Sequence, residues 1–173
     1  GKFRDQVRIY LDCHGEEFLE TLDPLLQPYA VKLKDSAKEH RSTRDDLNFF
    51  NLKTRAKQMA EIGYTALKFD LDLPGSTFQN PRGYHIKNKD IDWMVGLVRA
   101  AREGAGDEVD IAFDAHWRYK AHEILPVMKN IEPFKVMWIE DPLPPFDLNG
   151  LEQIRKFTGV PIATGENLQL RQG

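Results

Sequence analysis

Short apolar runs alternate with longer amphipathic stretches along this chain, and that alternation predicts a repeated strand-then-helix order. VRIYLDC, residues 7–13, reads as a first strand. The polar stretch after it, with Pro24, Pro28 and the charge-rich KLKDSAKEHRSTRDD, reads as loop with one short helix over Gly15 to Leu22. Asp45 or Asp46 can cap the next helix, where Leu52, Ala56, Met59 and Ala60 share one face and Gly63 marks the end. TALKFDL predicts strand two. Ile91, Met94, Val95 and Val98 mark a helix that stops at Gly104/Gly106, and VDIAFDA is strand three. Ala121, Ile124, Leu125 and Met128 line a helix that Pro126 is placed to kink. VMWIED then supplies strand four, DLNGLEQIRKF a helix, and PIATG strand five.

Five strands alternating with helices predict an α/β fold with a parallel sheet. An eight-stranded (β/α) barrel usually takes about 250 residues. The 173 residues here therefore correspond to a partial TIM-type barrel, about five of eight parallel β/α units, with open sheet edges. The alternative is a complete five-stranded doubly wound domain, which also carries ligands at strand C-termini. DCHGEE after strand one lacks the glycine-rich phosphate loop that such a domain often places there. The long connection LPGSTFQNPRGYHIKNKD suits an active-site covering loop and plain disorder equally.

Composition narrows the partners. With 41% hydrophobic and 29% charged residues the chain can bury one sizeable core. A net charge of −3 carries no basic excess, which argues against nucleic acid, and no apolar run approaches membrane-spanning length. Cys13 is the single cysteine, so an internal disulfide is excluded and a reducing, cytoplasmic setting is expected. GKFRDQ at the start has neither an initiator Met nor a secretory leader, which fits processing or a start partway through a larger protein.

The chemistry is concentrated in three acids at one interval. Asp114 in IAFDAH, Glu140 in MWIEDPLPP and Glu166 in PIATGENL are each 26 residues apart, and each follows an apolar run that reads as a buried strand. In consecutive β/α units the strand C-termini lie side by side, so the three carboxylates are expected at one rim. Converging carboxylates repel unless a cation sits among them. The hard cation that takes oxygen ligands and keeps positions free for substrate is Mg²⁺. His116, two residues beyond Asp114, returns to the same face if the segment is extended, and its imidazole could donate a proton to a leaving hydroxyl. The plain alternative is a surface histidine at a strand end. Trp117 beside it reads as packing.

These words, together with GKFRDQVRIY, GYTALKFD and VPIATGENL, resemble the barrel domain of the enolase superfamily, and within it the mandelate racemase-like acid-sugar dehydratases. The resemblance spans almost the whole chain. It implies a Mg²⁺-dependent hydro-lyase that converts an aldonic acid to a 2-keto-3-deoxy acid through an enediolate, with Asp114, Glu140 and Glu166 at the three metal-ligand positions. It implies His116 as the general acid. Lys68 matches the first lysine of the K-x-K pair on strand two and would neutralise the substrate carboxylate, whereas Asp70 departs from the pattern at the second. That departure favours dehydration over two-base racemisation. The bland reading pairs Lys68 with Asp70 as a structural ion pair.

His14, at the end of strand one, is a further expected substrate contact, ahead of His85; His40 and His122 read as exposed. The resemblance places the general base on strands six and seven, beyond Gly173, and specificity in an N-terminal capping domain, so residues 1–173 are expected to be an incomplete barrel domain of a homo-oligomeric enzyme. A racemase or epimerase of the same superfamily, or a catalytically silent interaction module, are the competing readings.

Overall fold

The computed structural model describes residues 3–13, 44–71 and 86–169, the side chains of residues 44–48 excepted. Its strands are β1 (Leu11–Asp12), β2 (Ala66–Asp70), β3 (Asp110–Asp114), β4 (Ile139–Glu140) and β5 (Ile162–Ala163). Between them run α1 (Arg44–Ile62), α2 (Asn88–Ala105), α3 (Ala121–Ile131), a 3-10 turn over Glu132–Phe134, and α4 (Leu148–Phe157). The short helix expected over 15–22, the histidines at 14, 40 and 85, and most of the connection over 73–90 lie outside the described residues.

All five strands are parallel in one sheet ordered β1-β2-β3-β4-β5. A doubly wound sheet reverses its strand order at a switch point, and this order never reverses. With crossovers of one hand, sequential order puts every helix on the same side of the sheet, which is the winding of a (β/α) barrel.

Two faces of β2 and β3 divide the labour. Leu67, Phe69, Ile111 and Phe113 turn outward and are fully buried, joined by Ala56 and Met59 of α1, Met94 and Val98 of α2, and Ile124 and Met128 of α3. Phe69 and Phe113 are register partners with ring centroids 5.7 Å apart. On the other face stand Lys68, Asp70, Ala112 and Asp114. Gly104 allows α2 to close on α1, since a Cβ there would collide with the carbonyl of Lys53.

Helix starts follow from short acids. The Asp90 carboxylate accepts from the Lys87 amide at 2.8 Å, Glu123 from Lys120 at 3.0 Å, and Asp147 from Gly150 at 2.9 Å. Pro126 sits inside α3 without ending it.

The first strand is shorter than expected, reduced from residues 7–13 to Leu11–Asp12. Its ladder partners on β2 are Leu67 and Lys68, and the segment before them is held by a side chain instead. Arg8 donates to Thr65 Oγ1 at 3.0 Å and to Asp110 Oδ2 at 2.6 Å, while Val7 and Ile9 stay exposed. No helix among the described residues is long and apolar enough to cross a membrane.

Candidate active site

Asp114 and Glu140 are the last residues of β3 and β4 and are direct register partners, so the sheet itself sets their carboxylates side by side. Glu166 arrives differently. The register partner of Glu140 on β5 is Ala163, and Glu166 follows three residues later in a turn entered through Gly165 at φ +133°. The equal interval thus marks three neighbouring β/α units without marking three strand ends. One carboxylate oxygen of each nevertheless lies within 4.8 Å of the others.

Lys68, almost sealed from solvent, threads under this group. Its ammonium donates to Asp114 Oδ2 at 3.0 Å and to Glu140 Oε2 at 3.3 Å, with Asp12 Oδ2 at 4.0 Å and the Tyr10 ring centroid at 5.6 Å. The expected alternative pairing with Asp70 is absent from these contacts. Burial alone would lower the lysine's pKa, but the hydrogen bond and charge of Asp114, followed by Asp12 and Glu140, reverse that and raise it above the ordinary value. It stays an ammonium at any physiological pH and is no base.

His116 reaches the site by a route other than the one its spacing suggested. The segment is not extended: His116 and Trp117 both adopt left-handed backbone, at φ 46° and 49°. The turn is pinned by the His116 amide donating to Asp114 Oδ1 at 3.0 Å and the Trp117 amide donating to the Asp141 carbonyl at 2.6 Å. It leaves His116 Nε2 3.8 Å from Asp114 Oδ2 and 3.9 Å from Asp70 Oδ1, between two carboxylates. Trp117 meets the imidazole edge-on at 6.2 Å. Three left-handed non-glycine residues, His116, Trp117 and Asp141, thus gather around one rim, where such backbone commonly marks function.

The group suits a divalent cation. Partial burial, then the charges of Asp114, Asp141 and Glu140, hold the Glu166 carboxyl above the usual carboxylate range even though the residue is exposed. Asp141 is buried, and among the described residues neither of its carboxylate oxygens has a hydrogen-bond partner. Lys68 satisfies Asp114 and Glu140 but no ion pair among the described residues reaches Glu166. A hard cation with oxygen ligands fits that excess of negative charge. Asp12, Tyr10, Trp138 and Asp141 were not singled out from sequence. Period-two spacing from Asp12 and Glu140 would have found Tyr10 and Trp138, and the ED pair would have found Asp141.

Comparison with known proteins agrees with the fold. The family described as Enolase C-terminal domain-like matches residues 51–173. The chain is 31% identical over its full length to the D-xylonate dehydratase of Haloferax volcanii, covering 35% of that protein. It is 31% identical over 150 residues to the D-gluconate dehydratase of Thermoproteus tenax, covering 84% of this chain and 28% of that one. A mandelate racemase/muconate lactonizing enzyme-like protein from Rubrobacter xylanophilus superposes with a TM-score of 0.68 at 28% identity, over 96% of this chain and 39% of the other. The chain thus spans about a third of the length of the curated relatives it matches. With a matching family model over residues 51–173 and a parallel strand order of barrel type, this chain belongs to the Enolase C-terminal domain-like family.

Proposed function

We propose that the protein carrying this chain dehydrates an aldonic acid to a 2-keto-3-deoxy acid, with Mg²⁺ held by Asp114, Glu140 and Glu166. The gathering of these three carboxylates within 4.8 Å carries the reading, and the sugar-acid dehydratases among its relatives support it. Bound there, the cation would supply Lewis-acid relief of the negative charge that develops on the substrate carboxylate when the C2 proton leaves. Lys68 adds a permanent positive charge beneath the same carboxylate. His116, set between Asp70 and Asp114, is the general acid that gives a proton to the C3 hydroxyl, whose C–O bond breaks to release water. Tautomerisation of the remaining enol gives the ketone.

Asp70 stands where a racemase would need an amine base, so removal and return of a proton on opposite faces finds no second base here. The base that takes the C2 proton we place on later strands of an eight-stranded barrel, for which residues 1–173 supply the first five. His14, outside the described residues, remains a proposed substrate contact. We place the enzyme in the cytoplasm as a homo-oligomer.

The test incubates the protein with Mg²⁺ and a panel of gluconate, galactonate, mannonate and pentonates, following 2-keto-3-deoxy acid by its semicarbazone. Product with one of them, lost in Glu140→Gln, is the expected result. Deuterium entering C2 without water loss would replace dehydration by epimerisation, and silence with every acid would favour an interaction module.

A further inference from the structure

We infer that Trp138 is a positioning residue for the metal ligand Glu140, selecting which oxygen of that carboxylate faces the cation. The inference rests on the metal reading above and concerns a residue that does not itself touch metal or substrate.

The geometry is specific. Trp138 precedes Glu140 by two residues on the same run into β4, so both side chains leave the same face of the sheet. The indole Nε1–H donates to Glu140 Oε2 at 3.2 Å, and the Lys68 ammonium donates to that same oxygen at 3.3 Å. Two donors therefore converge on Oε2, and among the described residues Oε1 receives none. A carboxylate held this way cannot rotate freely, and Oε1 is the oxygen left for a cation.

The indole is itself held. Tyr10 of the segment entering β1 meets Trp138 edge to face, with centroids 5.7 Å apart and planes at 79°, and the same Tyr10 ring lies 5.6 Å from Lys68 Nζ. Both donors to Oε2 thus lean on one tyrosine. A simple packing role for Trp138 would need the ring but not the N–H, so the two roles can be separated.

Removing outer hydrogen bonds to metal ligands typically weakens metal binding by about 10 to 100-fold. The experiment titrates Mn²⁺ calorimetrically into wild type, Trp138→Phe and Glu140→Gln, and records melting with and without the ion. Trp138→Phe keeps an aromatic ring against Tyr10 and lacks the donor. The expected result is Mn²⁺ affinity about tenfold weaker and a smaller Mn²⁺-induced rise in Tm, with the metal-free Tm unchanged. Should Phe fail to fold, 3-benzothienylalanine at position 138 keeps the bicyclic shape, lacks the N–H, and is expected to show the same loss. Wild-type affinity in the donor-free variant, with Glu140→Gln still losing binding, overturns this inference and leaves the metal reading standing. Wild-type affinity in Glu140→Gln overturns both.

Discussion

Lys68 Nζ and Asp114 Oδ2 lie 3.0 Å apart with side chains only 9% and 5% exposed, so this ion pair closes the floor of the carboxylate rim. Its position gives the lysine two tasks, holding the acids together in the free protein and meeting substrate charge in the complex. Lys68→Met should cost about 3 kcal/mol in urea unfolding without metal, the low end for a broken buried pair because neighbouring Glu140 is partly open. Divalent cation can replace the lost charge. The Mg²⁺-induced rise in Tm is therefore expected to be larger in Lys68→Met than in wild type, and an equal or smaller rise would show that Lys68 does not share its carboxylates with the cation.

His116→Asn retains the amide that donates to Asp114 and a residue type that tolerates the left-handed backbone, and removes the acid. Dehydration should fall by a factor on the order of 10² to 10⁴ while Mg²⁺ affinity stays close to wild type. Exchange of the C2 proton with solvent should survive, since that step precedes loss of the hydroxyl. NMR in D₂O resolves the two, and undiminished dehydration would remove His116 from the mechanism.

Asp141 is a buried carboxylate at φ 39°, with neither oxygen hydrogen-bonded among the described residues. Asn fits that backbone and carries no charge. Asp141→Asn removes a buried charge that repels Glu166, so metal-free stability should rise, and Mg²⁺ binding should weaken as the negative potential at Glu166 falls. Chemical denaturation and calorimetry measure both, and a destabilised variant would reveal a native partner for the carboxylate.

Cys13 supplies a pH signature. Burial, opposed in part by Arg55, pushes its thiol up to about 12, above the ordinary value of 9.0. Between these values the unfolded chain has released the proton that the native chain keeps. The unfolded state then binds fewer protons, and stability falls as pH rises through this window. Urea midpoints should decline from pH 9 upward, and the decline should be shallower in Cys13→Ala. Alkylation of the native thiol at pH 8 should be slow unless urea is present.

Legibility in the sequence followed the strength of local pattern. TALKFDL and VDIAFDA alternate between core and site faces and became β2 and β3 nearly to the residue. VRIYLDC alternates just as clearly, yet only Leu11 and Asp12 pair, because Arg8 anchors what precedes them by a guanidinium that no periodicity reports. The interval of 26 residues located the three acids, but β4 and β5 are two-residue strands and Glu166 sits beyond its strand in a glycine turn. The extended spacing expected at His116 does not hold, since a left-handed turn carries its side chain to Asp114. Trp138 and Tyr10 read as ordinary apolar strand residues because an indole N–H or a ring edge becomes informative only when its partner is placed.

Crystallography of the protein grown with Mn²⁺, using anomalous scattering to find the ion, decides whether the three carboxylates hold a metal. One ion is expected among Asp114, Glu140 and Glu166, with Mg²⁺ replacing it at roughly 2.0 to 2.1 Å per ligand. Density for the ion elsewhere, or none at saturating Mn²⁺ with Lys68 still bridging Asp114 and Glu140, would contradict it.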